Sequence, residues 1–321
     1  MDGVIKVYTS HVAFNRCEFF GFTLHCIKFY NGSSDSCVTN TYFHENGCAA
    51  VMIGERDKAA TNVPKGIYID NNVTKVNGQL LPESCAFVMT FAEDCQFNNN
   101  TISHTSYSGF NIGYVWYRNT DATGLKNCVI KGNDISKIGH PWLHDLGGIY
   151  TLGDTQGIKI CYNYIHDDAN TFCYGLYLDE GTKNANVYKN VSLLPQHNHW
   201  VRYNRIYNNV FGGKYLTNNS SIDVIISGNI FINIIGEATY FENSPLAYIT
   251  TNLYWGKGCN IITPGKDSDP IIADPNFSDF YNKDFSIYDT ENIDKIGFES
   301  FTLNSGAKGV GNDDMFDWFD Y

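Results

Sequence analysis

Two aspartates stand where a chain of this kind could do chemistry. Asp145 precedes the run GGIYTLG, and Asp179 lies within the run GLYLDEG. Around them gather Trp116, Trp142, His144, Tyr150, His166, Tyr177, Glu180 and His197, all inside the window from Ser106 to Trp200. Two carboxylates on one face are the minimum equipment for hydrolysing a glycosidic bond: one gives a proton, the other acts as base or nucleophile. Aromatic rings beside them suit the same chemistry, because a ring stacks on a sugar while polar groups fix its hydroxyls. Asp145 has His144, Trp142 and Leu146 for neighbours, a partly apolar setting that suits a general acid. Asp179, followed by Glu180 and Gly181, is expected at a more open strand end as the base or nucleophile. Tyr150 and Tyr177 would steady the sugar. Glu180, Asp167 and Asp168 are reserve carboxylates. His140, His144, His166, His197 and His199 are expected to share one site.

The elements that must position these groups are announced by a recurring Asn. It arrives once per short apolar segment, at 15, 40, 72, 100, 133, 163, 190, 209, 229 and 252, with separations between 19 and 33 residues. A repeat of about 20–50 residues is the signature of a solenoid. Each unit carries β-branched and aromatic residues with period-2 alternation, bounded by Asn, Gly, Asp and Ser, so the unit is strands and turns. Leu is too sparse for leucine-rich repeats, and 3.6-residue periodicity is almost absent. The chain therefore predicts an all-β, right-handed parallel β-helix of roughly ten rungs. Asn tolerates the left-handed turn conformation, and amides stacked about 4.8 Å apart can bond one another as a ladder.

Three strands align by eye: GFNIG at Gly109, GIYTLG at Gly148 and GLYLDEG at Gly175. Alternation then points Phe110, Ile149 and Leu176 one way and Asn111, Tyr150 and Tyr177 the other. If the apolar column faces inward, the tyrosines form an external wall and Asp179 faces out beside them. Asp145 aligns with position 172, seven residues before Asp179, so a bend is needed to bring the pair together. The Gly147–Gly148 pair is expected to permit a tight turn beneath the site.

Residues 1–262 form the solenoid in this reading. Residues 263–321, rich in Pro, Asp and Asn at first and ending in the acidic aromatic run DDMFDWFDY, form an irregular C-terminal cap packed on the last rungs of the same domain.

Taken together, SYSGFNIGYVWYR, HDLGGIYTLGDTQGIKICYNYIHD, YGLYLDEGTKNANVYKNV, PQHNHW and NRIYNNVFGG resemble the β-helix glycosidases of glycoside hydrolase family 141, over about residues 100–215. The resemblance implies an α-L-fucosidase or xylanase type of activity, with Asp145 and Asp179 as the catalytic carboxylates.

Composition narrows the partners. The net charge is −12, with 22 basic against 34 acidic residues. Nucleic acid needs a basic stripe that is absent here. A polyanionic glycan would be repelled unless a cation mediated, so a neutral or branched carbohydrate is the expected partner. Ten Cys show no CxxC or Cys/His metal spacing, and neither a metal nor another cofactor is expected. Most of these Cys read as small buried residues. No stretch approaches 18 apolar residues, so no membrane span is expected. Residues 1–20 lack the pattern of a secretory leader, and an extracellular or periplasmic location follows only from the expected function. Two rival readings remain. One is a polysaccharide lyase, with Arg118, Lys159, Lys183 or Arg202 as base. The other is a glycan-binding or adhesin solenoid without turnover.

Overall fold

The computed structural model describes residues 2–56, 61–114, 124–167, 172–213, 215–217, 221–232, 246–256 and 267–310. Among them the chain winds as a parallel β-helix. Its strands fall into three parallel sheets of nine, twelve and eleven strands, each strand pairing with its counterpart one rung on. A parallel pair cannot be closed by a hairpin, so the chain travels around the other two faces before it returns, and such crossovers are right-handed. Ten rungs are traced by the second sheet, from Ala13–Asn15 to Leu246–Thr250. The only helices among the described residues are Glu291–Asp294 and the 3-10 turn Phe280–Asn282.

The interior consists of stacked columns. In the first sheet Ile27, Val51, Phe87, Phe110, Ile149 and Leu176 stand in register and point inward, none more than 4% exposed. Ile130 and Ile160 do the same in the second sheet, and Ile102, Ile135 and Ile165 in the third. Phe87, Phe97 and Phe110 meet across the core at 5.3–5.5 Å between ring centroids. The alignment of GFNIG, GIYTLG and GLYLDEG is the observed register, and the outward column reads Met52, Val88, Asn111, Tyr150, Tyr177, His197.

The Asn ladder occupies the corner between the second and third sheets. Asn72, Asn100, Asn133, Asn163, Asn190, Asn209, Asn229 and Asn252 are all wholly buried. Each donates both its backbone N–H and its side-chain Nδ2–H to the Oδ1 of the next, at 2.9–3.0 Å. Asp267 ends the ladder, its Oδ2 accepting from Asn252 Nδ2 at 2.8 Å. A carboxylate suits that end because it accepts and has no proton of its own to place.

Two details differ from the sequence expectation. The residue in the left-handed conformation is the one before the ladder Asn: Asn99, Gly132, Tyr162, Lys189, Asn208, Gly228 and Thr251 all have φ between 50° and 65°. Asn15 and Asn40 are not ladder members. At the second rung Thr41 takes that place, its N–H bonding Asn72 Oδ1, while Asn40 is itself the left-handed residue with φ 53°. Asn15 and Asn40 instead join Asn71 in a shorter chain of amides outside the core.

The C-terminal segment does more than close the last rungs. Ile271–Ile272 joins the third sheet, and Phe277–Asp279 pairs antiparallel with Asp284–Ile287. The chain then runs back along the Asn corner. Asn208 exchanges two hydrogen bonds with the Glu299 backbone, Gly306 bonds Gly132, and Lys308 N–H reaches Asn71 Oδ1 at 2.7 Å.

Replacing Asn163 by Ala removes the acceptor of the Asn133 backbone N–H and of one Asn133 amide hydrogen in the core, the other keeping the Phe97 carbonyl. It should lower unfolding free energy by about 1–3 kcal/mol. Asn15→Ala, outside the ladder, should change it by under about 0.5 kcal/mol. Denaturant titration of both variants checks the assignment, and equal losses would contradict it.

Candidate active site

The site stands on the outer face of the first sheet, on the neighbouring strands Leu146–Thr151 and Cys173–Leu178. Three stacked glycines let these strands approach. A Cβ on Gly109 would lie 2.6 Å from the Gly148 carbonyl oxygen, and one on Gly148 would lie 2.7 Å from the Ile165 side chain; at Gly175 it would meet the Ser192 hydroxyl. Gly147 and Gly148 do not have positive φ, so their role is not the tight turn expected of them. They provide room: Gly148 toward the core, Gly147 toward Tyr177.

The two tyrosines cross-link the two aspartates. Tyr177 donates its hydroxyl to Asp145 Oδ1 at 2.7 Å. Tyr150 donates to Asp179 Oδ2. Each Tyr thus serves the Asp that flanks the other's strand, Asp145 just before Leu146–Thr151 and Asp179 just after Cys173–Leu178, and the rings meet edge to face at 5.0 Å. No sharp bend of the strand is involved; two phenols span the gap that the seven-residue offset leaves. Asp145 itself has φ 63°, a conformation Asp tolerates better than most residues. Its carbonyl accepts the Tyr107 hydroxyl.

The environments of the carboxylates are the reverse of the expectation. Asp145 is exposed and Asp179 is 4% exposed. The turn ahead of Asp145 carries His144 and Trp142 outward, so neither ring covers the carboxylate. Asp179 lies inside a cluster of Tyr150, Leu152 and Tyr177, with His199 Nδ1 3.0 Å from its Oδ1. Burial first, then the negative charge of Asp179, holds both phenols far above the ordinary tyrosine range. Tyr150 and Tyr177 are therefore fixed hydrogen donors. At 6% and 2% exposure they are not the open stacking wall the alternation predicts.

His199 is a member whose partnership with Asp179 sequence spacing did not single out. Its contact with Asp179 raises its pKa, against burial, and Glu180 and Asp145 add to the same field. His197 stacks on Tyr177 at 4.9 Å and 16°, and lies parallel to His199 at 5.5 Å. Tyr174, also missed, packs against both Tyr177 and His197. Alternation counted back from the inward Leu176 would turn Tyr174 inward; the strand breaks alternation at Gly175, where a Cβ would meet the buried Ser192 hydroxyl, and so leaves Tyr174 on the outer face.

Other expected members lie elsewhere. His166 sits on the third sheet, in Tyr164–His166, between Asp134 at 3.0 Å and Asp167 at 2.7 Å, and does not join the aspartates. His144 is exposed and packs against Phe172. Trp142, 66% exposed, packs on His140. Trp116, Arg118 and Asp168 lie outside the described residues. Lys159 belongs to the second sheet, and Lys183 pairs with Asp154. Among the described residues no three His, Cys, Asp or Glu side chains are grouped to hold a metal ion, and no helix is long and apolar enough to cross a membrane. Nine described cysteines are free thiols, seven of them buried.

Two solved structures share this fold. A glycoside hydrolase is 17% identical with a TM-score of 0.55, the match covering 69% of this chain and 38% of that one. A mutant of the PL6 family alginate lyase AlyGC is 12% identical with a TM-score of 0.52, covering 98% of this chain and 55% of that one. At these identities the likeness is one of fold, and the chain spans only about two fifths to just over half the length of the proteins it matches. No family model and no curated protein matches the chain. Neither structural likeness identifies it with glycoside hydrolase family 141.

Because the folded-state pKa of His199 is raised, its pairing with Asp179 stabilises the fold fully below the ordinary histidine value and is lost as pH rises through the raised one. Asp179→Asn should move the His199 imidazole titration, followed by NMR, to lower pH. An unmoved titration would show that Asp179 does not hold the proton there.

Proposed function

We propose that the protein is a glycoside hydrolase acting on a neutral or branched polysaccharide or oligosaccharide laid along the outer face of the first sheet. The observation that carries this reading is the crossed pairing of Tyr177 with Asp145 and Tyr150 with Asp179, which gathers two carboxylates and an imidazole on one face. The shared fold with a glycoside hydrolase supports it. The resemblance to family 141 names α-L-fucosides and xylans as the first substrates to try. A polysaccharide substrate places the work outside the cytoplasm, in an extracellular or periplasmic space.

The burial pattern redistributes the roles. Asp145, exposed and held by Tyr177, is the base or nucleophile. The proton donor is His199, whose side chain is 27% exposed. Asp179 is the positioning residue that keeps His199 charged and oriented, and Tyr150 fixes Asp179 in turn. A carboxylate behind an imidazole is a common means of setting tautomer and basicity.

One observation favours a second reading, a β-eliminating lyase. Lys28 stands in the same outward column, nearly buried, its pKa lowered chiefly by desolvation, which would suit a base. Such a lyase would release unsaturated products that absorb in the ultraviolet.

On a xylan or fucoside substrate, Asp145→Asn should cut kcat by about a hundred- to ten-thousand-fold. His199→Ala should slow poor leaving groups far more than activated aryl glycosides, which need little proton donation. Asp179→Asn should shift the alkaline limb of the kcat/KM profile to lower pH. Full activity in Asp145→Asn contradicts the reading. Ultraviolet-absorbing products from a uronate-containing glycan favour the lyase, and an absence of turnover on every glycan favours a binding solenoid.

A further inference from the structure

A cavity of about 590 Å3 opens on the same sheet face toward the N-terminus, bounded in part by His25, Arg56, Glu83, Asn111 and Trp142. Its floor is the outward column of three consecutive rungs, Met52, Val88 and Asn111, in register with one another. Asn111 pairs directly with Tyr150, so the cavity abuts the Asp–Tyr cluster. One wall is the segment 81–85 between the third and fourth rungs. The other includes Trp142 and Leu143, on the turn that carries Asp145.

We propose that this cavity is a carbohydrate subsite that takes one or more uncharged sugar rings of the chain whose next bond lies over Asp145. It rests on the reading that a glycan follows the first sheet, and not on that glycan being cleaved.

Five features carry the proposal. Trp142 offers an indole that is 66% exposed and backed by the His140 ring at 3.3 Å, a flat face suited to the C–H face of a pyranose. The floor mixes apolar Met52 and Val88 with the Asn111 amide, the combination that orients a sugar. His25 is 8% exposed and its Nδ1 has no hydrogen-bond partner in the protein. A ligand hydroxyl satisfies that nitrogen in either tautomer, since it can give or accept. The formal charges of the lining balance in number: it holds one cation, Arg56, whose guanidinium lies over the Tyr114 ring at 4.4 Å, and one carboxylate, Glu83, while burial keeps His25 neutral, its pKa pushed down to about 4. A uronate would meet a lining that carries as many carboxylates as cations. The volume lies within the range of about 300–1,000 Å3 usual for ligand sites.

The test is calorimetric titration of the Asp145→Asn protein with xylohexaose, 2′-fucosyllactose and hexagalacturonate, with tryptophan emission recorded in parallel. The proposal expects at least one neutral probe to bind and to shift the emission. Trp142→Ala, added to that background, should weaken binding about tenfold or more. His25→Phe, which keeps the ring shape without its nitrogens, should weaken it with no loss of melting temperature. Binding unchanged in both added variants overturns the proposal, as does binding of no neutral probe. Preferential binding of hexagalacturonate, lost in Arg56→Gln, overturns the uncharged class. The two readings separate cleanly. Neutral binding without turnover in the unmodified protein removes hydrolysis and leaves the subsite standing. Turnover with KM unmoved by Trp142→Ala removes the subsite and leaves hydrolysis standing.

Discussion

The structure depends on one repeated interaction: a buried Asn amide that accepts two hydrogen bonds from the rung before it and passes two on to the rung after. A solenoid corner exposes backbone N–H groups at every turn, and burying them unpaired costs about 1–3 kcal/mol each. From the third rung onward the ladder satisfies that demand with one residue type. It also sets the rung-to-rung register, because an amide displaced by one residue would point the corner's side chain to the other face. The left-handed residues before it, including Tyr162, Lys189 and Thr251, adopt a strained conformation that the ladder holds in place. Asp267 ends the chain of amides, and the returning C-terminal segment covers the corner from Asn208 back to Asn71.

The site inherits that register. Tyr150 and Tyr177 lie on successive rungs because Ile149 and Leu176 stack beneath them. Their rings then lean in different directions, one to each aspartate. Neither carboxylate contacts the other through the strand, so the site is a property of two rungs held in fixed relation. The result is an exposed carboxylate beside a buried carboxylate–imidazole pair, an asymmetry that separates a group meeting solvent from one that sets another's proton.

Much of this was legible in residue order. The repeat announced the β-helix, and GFNIG, GIYTLG and GLYLDEG carried the strand register and the facing of their side chains. The failures have physical causes. Asn15 and Asn40 share the flanking pattern of ladder residues, but Thr41, one position after Asn40, takes the corner place and its hydroxyl accepts the Cys17 N–H of the rung before. His166 follows Asn163 by three residues, and everything just after a ladder Asn enters the third sheet; the ladder itself placed that histidine away from the aspartates. Burial of Asp179 and exposure of Asp145 depend on how separate turns fold over the sheet. Alternation assigns a face to a residue and does not say what covers that face. The same limit hid His25, Arg56 and Glu83, one opening a strand of the first sheet and two in loops of later rungs, which meet only in space.

The central claim is that water is added across a glycosidic bond over the Asp145–Tyr177 and Asp179–Tyr150 pairs. The most direct measurement is the mass of products released from a neutral oligosaccharide in water enriched in heavy oxygen. Hydrolysis predicts one heavy oxygen in the new reducing end and none elsewhere. No release from the neutral oligosaccharide, together with unlabelled products lighter by one water from a uronate-containing one, would show elimination and contradict the account.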